Sequence, residues 1–101
     1  DPSIWSIQTS EFGFGLDKSK TGGLTAGSTV SAQIMMDGTA ATYAAIENVD
    51  PAMVTFDQGE FTASGTCNAT FNASGTTTFQ VSFYDEAGTQ LYTIDYTANV
   101  K

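Results

Sequence analysis

The sequence predicts an all-β protein, an antiparallel β-sandwich of about seven to nine short strands. Three observations lead there. Threonine occurs 16 times in 101 residues and is joined by Val, Phe and Tyr, while Leu, Lys and Glu are few and Arg is absent. Branched and aromatic side chains suit a pleated, half-buried surface and lose rotamer freedom in a helix. Segment after segment alternates apolar with polar residues at a period of two, and turn signals recur every eight to twelve residues or so. No linker or fixed repeat divides the chain, so residues 1–101 read as a single domain.

The first strand is Ile4 to Thr9, with Trp5 and Ile7 on one face. Glu11 to Leu16 alternates aromatic residues with glycine, which predicts a bulged or twisted edge. Asp17 to Gly27 is a polar loop. Thr29 to Met36 is a regular strand with Val30, Ala32, Ile34 and Met36 inward, and Asp37-Gly38 after it predicts a tight hairpin. Ala40 to Val49 is a strand with Tyr43, Ala45 and Ile46 on the inner face. Asp50-Pro51-Ala52 turns the chain, since proline is barred from a central ladder. Val54 to Phe56 and Glu60 to Ala63 flank Asp57-Gln58-Gly59 and predict another hairpin. Thr66 to Ala73 places Cys67, Ala69, Phe71 and Ala73 inward. Ser74-Gly75 turns, Thr77 to Asp85 sends Phe79, Val81 and Phe83 inward, and Asp85 to Gly88 is a hairpin turn. Gln90 to Val100 closes the domain with Tyr92, Ile94, Tyr96, Ala98 and Val100 on one face.

Composition excludes several functions. Three basic residues (Lys18, Lys20 and Lys101) against 11 acidic ones give a formal charge of −8. Nucleic-acid binders neutralise phosphates with clustered Lys and Arg, and three scattered lysines make no such patch. The chain has no histidine, which removes Ser-His-Asp and Cys-His catalysis and the commonest transition-metal ligand. Cys67 is the single cysteine, so no intrachain disulfide forms, and it reads as a small buried apolar residue. No apolar run reaches the roughly 18 residues of a membrane span, and no basic segment followed by an apolar run marks a signal peptide. The abrupt start at Asp1-Pro2, close to strand-like sequence, reads as a domain cut from a longer protein.

The order of elements resembles a bacterial immunoglobulin-like domain, of the kind strung along surface adhesins and appended to phage structural proteins. The residues that carry the resemblance are Leu24 to Val30 before the first core strand, Val54 to Ala63 at the middle, and Gly75 to Gly88 leading into the last strand. Together they span about residues 24 to 100. Two departures stand out: the family's tryptophan in the third strand is absent, with Tyr43 as its replacement, and Ser64 to Ala73 counts as an extra strand. The resemblance implies an immunoglobulin-like sandwich with a scaffold or adhesion role at a cell surface or virion. It supplies no catalytic residue.

Candidate sites are few. Asp57 and Glu60 share one turn and Asp85 and Glu86 another. Calcium takes six to eight oxygens, usually from alternate loop positions, and no such run exists. A site assembled from those two loops is the one cofactor reading left open, against solvated turn residues that keep the domain soluble. Trp5 and Tyr84 are the carbohydrate-binding candidates, because sandwich modules stack sugars on exposed rings. The plainer reading puts Trp5 in the core and Tyr84 over a sheet edge. Asn68 and Asn72 each begin a glycosylation sequon. The expectation is a non-enzymatic accessory domain serving adhesion, decoration or spacing, part of a multidomain assembly with a protein or glycan partner. The glycine-containing segment at Phe12 and Phe14 is the expected binding edge. A carbohydrate-binding module is the alternative.

Overall fold

The computed structural model describes residues 7–8, 11–17, 23–36 and 40–101. Their strands are β1 (Ile7–Gln8), β2 (Phe12–Leu16), β3 (Thr29–Met36), β4 (Tyr43–Glu47), β5 (Val54–Phe56), β6 (Glu60–Phe61), β7 (Gly65–Phe71), β8 (Gly75–Tyr84) and β9 (Gln90–Val100). They form two antiparallel sheets, one in the order β1-β2-β3-β7-β5 and the other β6-β4-β8-β9. Among the described residues, no helix is long and apolar enough to cross a membrane.

Period-two alternation explains why the sheets face each other. Val30, Ala32 and Ile34 of β3, Cys67, Ala69 and Phe71 of β7, Phe79, Val81 and Phe83 of β8, and Ile94, Tyr96, Ala98 and Val100 of β9 are all buried. These are the inner positions the sequence predicts. Aromatic rings bridge the two layers. Phe14 meets Phe79 edge-on with centroids 5.6 Å apart, and Phe12 lies 4.9 Å from Phe83 and stacks on Tyr92 at 5.4 Å. Full burial of each such ring is worth roughly 1.5–3 kcal/mol, so this one cluster holds the layers together.

Setting aside the two-residue strands β1 and β6, the order is β2-β3-β7-β5 against β4-β8-β9. That is the strand order of constant-type immunoglobulin sandwiches. Leu24, after β2, makes a parallel bridge to Val100 of β9, so this stretch of chain leaves the first sheet and touches the second. The strand over Ser64 to Ala73 is no addition to that plan, because β7 is an interior strand of its sheet, between β3 and β5.

Four expectations are corrected. The Phe12–Phe14 segment is not an edge: β2 pairs with β1 on one side and β3 on the other, and all five of its residues are buried. Its glycines, Gly13 and Gly15, alternate with Phe12, Phe14 and Leu16 and are buried as well. In β4 the inner face is Ala44 and Ile46, opposite Phe83 and Val81, while Tyr43 and Ala45 lie opposite Tyr84 and Ser82 on the outer face. Tyr43 therefore does not replace a core tryptophan.

The segments around Asp57-Gln58-Gly59 are not a hairpin, because β5 pairs with β7 in one sheet and β6 with β4 in the other. Local turn residues are compatible with either outcome. Here the Asp57 carboxylate is fastened to Asn68 of β7, whereas the carbonyl of Gly59 already accepts the Ile46 amide of β4 at 2.8 Å. The connection after β3 is likewise no hairpin, since β3 and β4 belong to different sheets; Asp37-Gly38 itself lies outside the described residues. The turns at Ser74-Gly75 and Asp85 to Gly88 are as expected. Gly75 makes the crossing between sheets with φ of 128°, a conformation that favours glycine.

Candidate functional site: the outer face of the four-stranded sheet

Alternation that sends apolar residues of β8 and β9 inward sends their polar residues to one outer surface. Four successive cross-strand pairs on that surface are joined side chain to side chain. Thr76 Oγ1 donates to Asn99 Oδ1 at 3.0 Å, the hydroxyls of Thr78 and Thr97 lie 3.3 Å apart, Gln80 Nε2 donates to Asp95 Oδ1 at 3.0 Å, and the hydroxyls of Ser82 and Thr93 share a bond of 2.6 Å. Cross-strand pairs of this kind each add a few tenths to about 1 kcal/mol and fix register. Asn48, at the end of β4 with φ of 59°, extends the ladder by donating to Gln80 Oε1 at 2.7 Å.

At the β4 side of this face stand two tyrosines. Tyr43 and Tyr84 are directly paired across β4 and β8, with ring centroids 5.8 Å apart and planes tilted by 44°. Each hydroxyl donates to a carboxylate: Tyr84 to Glu47 Oε2 at 2.7 Å, and Tyr43 to Glu60. Both phenols hold their protons more tightly than usual, because the negative carboxylate beside each one opposes ionisation. That bond to Glu60, with some burial, pushes Tyr43 up to about 12, and the bond to Glu47 raises Tyr84. The rings are half-buried at the surface, and their hydroxyls are tied down. Such a surface can stack a flat ligand against aromatic faces and offer oxygen acceptors at its rim.

The other predicted site residues are placed as follows. Tyr84 is on the outer face as expected, and Trp5 lies outside the described residues. The carboxylate of Asp57 accepts the Asn68 backbone amide at 2.7 Å and its side-chain amide at 2.8 Å, bonds that hold it below the usual aspartate range. Glu60 accepts the Tyr43 hydroxyl, and Asp85 caps its own turn by accepting the amides of Ala87 at 3.0 Å and Thr89 at 2.8 Å. Glu86 is exposed at the same turn. Among the described residues no group of three or more His, Cys, Asp and Glu converges as a metal site would require, so the two acidic pairs do not combine.

Cys67 is buried, and that burial, with the negative Asp57 nearby, pushes its thiol up to about 11, the opposite of what a nucleophile needs. The sequon asparagines are both held: Asn68 by Asp57, and Asn72 by the carbonyl of Pro51 at 3.1 Å.

Sequence reasoning missed Tyr43, Glu47 and the ladder. Reading β4 from Ala44 and Ile46, the two apolar residues two apart, would have turned Tyr43 and Glu47 outward beside Tyr84. No protein-family model, no curated protein and no solved structure matches this chain.

Proposed function

We propose that this domain is a non-enzymatic accessory module that acts through its surface, serving adhesion, decoration or spacing in a bacterial surface protein or phage virion protein. The observation that carries this reading is the Tyr43–Tyr84 pair with its two carboxylates, an organised surface on a sandwich whose interior is filled with its own side chains. An elongated body of 38 × 28 × 19 Å suits a spacer between neighbours, and the immunoglobulin-type strand order agrees with the family resemblance at Leu24 to Val30, Val54 to Ala63 and Gly75 to Gly88. Its location on this reading is extracellular, at a cell surface or on a virion.

A second reading has its own support. Sandwich modules take carbohydrate on aromatic rings beside hydrogen-bonding groups, and Tyr84 stands in a half-buried ring pair beside two carboxylates. A glycan-binding screen of the 101-residue chain against its Tyr84→Ala variant separates the two. Saturable sugar binding lost in the variant makes the module a carbohydrate binder. Absence of binding across the screen leaves the protein-contact reading in place.

A further inference from the structure

We propose that the open edge of β9 is a strand-acceptor site that takes an extended, lysine- or arginine-bearing segment of a partner chain. Among the described residues the two sheets end on β1, β5, β6 and β9. Strands β6 and β5 have two and three residues, while β9 runs for 11. Proteins protect sheet edges by keeping them short or by placing proline or lysine on them. The first device serves the β6 and β5 edges here, and neither proline nor lysine occurs between Gln90 and Val100.

The direction of the free groups follows from two bonds at the end of the strand. Lys101 donates its amide to the Leu24 carbonyl at 2.9 Å and accepts the Ala26 amide at 2.9 Å, so its backbone points away from β8. Backbone direction alternates along a strand. The N–H and C=O groups of Thr97, Asp95 and Thr93 therefore point away from β8 too. Leu24 bridges β9 only at Val100, and among the described residues no strand pairs with the edge from Thr93 to Thr97.

The charge on this edge selects the occupant. Asp95 is the single charged residue of β9, exposed at its middle and oriented by Gln80. An added strand with Lys or Arg opposite it gains a cross-strand ion pair. A second copy paired antiparallel about the same point sets Asp95 against Asp95, and like charges directly opposite destabilise. Each copy also carries −8. This site uses main-chain groups and is independent of the Tyr43–Tyr84 surface.

The test is amide hydrogen exchange by NMR on the 101-residue chain, with and without the acetylated, amidated peptide Thr-Thr-Val-Lys-Val-Thr-Thr. In the free chain the amides of Thr93, Asp95 and Thr97 exchange fast, while those of Ile94 and Tyr96 exchange slowly. Saturating peptide slows the first three by about tenfold or more. The same peptide with Glu at its centre leaves them fast, and Asp95→Lys reverses the preference between the two peptides.

Three results overturn the proposal. One is no slowing with either peptide. Another is protection already present in the free chain at every dilution, which makes the chain its own cover. The last is protection that grows with protein concentration alone, which makes a second copy the occupant.

Discussion

The two faces of the β8–β9 hairpin share one backbone and opposite chemistry. Inside, Phe79 meets three rings: Phe14 at 5.6 Å, Phe56 at 5.2 Å and Tyr96 at 5.3 Å. Outside, the same strands carry hydrogen-bonded pairs from Thr76–Asn99 to Ser82–Thr93. The contacts of Phe79 with Phe14 of β2 and Phe56 of β5 join different sheets and so hold the two layers together. The outer ones join strands already hydrogen-bonded to each other, and water can replace most of them. Stability is therefore concentrated on the inner face, and the outer face is left to set register and to meet partners.

The largest expected break in this contrast is Phe79→Ala. It removes the ring that touches Phe14, Phe56 and Tyr96, and it should lower unfolding stability by about 3–5 kcal/mol, read from the urea midpoint at unchanged slope. On the outer face the burial of each pair decides the outcome. Ser82 is 2% exposed, so Ser82→Ala strands the Thr93 hydroxyl and should cost about 0.5–1.5 kcal/mol. Thr78→Val, at the exposed Thr78–Thr97 pair, should stay within about 0.5 kcal/mol. Equal effects of Phe79→Ala and Thr78→Val would erase the distinction between the faces.

The smallest effect is in pH. Tyr43 is raised from 10.0 to about 12 by its bond to Glu60, so the folded state holds this proton more tightly than the unfolded state. The resulting stabilisation is complete below pH 10 and is lost as pH rises through about 12. Wild type should exceed Tyr43→Phe in stability at neutral pH and lose that advantage over this interval. Glu60→Gln should bring the Tyr43 transition, followed by ultraviolet difference absorbance, back toward the ordinary tyrosine range.

Legibility in the sequence followed the length of the alternating run. Thr29 to Met36 and Gln90 to Val100 have four or five apolar positions in phase, and the observed strands match in bounds and inner face. The stretch from Tyr43 to Glu47 contains two adjacent alanines, which leave the phase undetermined, and a one-residue slip exchanges the two faces. That slip hid Tyr43 and Glu47 and with them most of the candidate site. Tyr84 was legible because Phe79, Val81 and Phe83 fix the phase of its strand.

Acidic turn residues carried a different ambiguity. A carboxylate near a turn can bind an ion, cap an amide or clasp a neighbouring strand. Asp85 does the second and Asp57 the third. Spacing along the chain does not distinguish these uses, since the partner amide is local for Asp85 and comes from β7, 11 residues away, for Asp57.

By itself the sequence determined the all-β class, the inner faces of the long strands and the turns at Gly75 and Gly88, because alternation and glycine conformations are local properties. Which strand pairs with which was decided only in three dimensions. The segments flanking Asp57-Gln58-Gly59 and those flanking Asp37-Gly38 separate into different sheets, since sheet membership depends on bonds between residues distant in the chain. The same holds for the pairing of Tyr43 with Tyr84, which joins strands about 40 residues apart, and for the place of β9 at the end of its sheet, where no other described strand pairs with it. No local pattern records either arrangement.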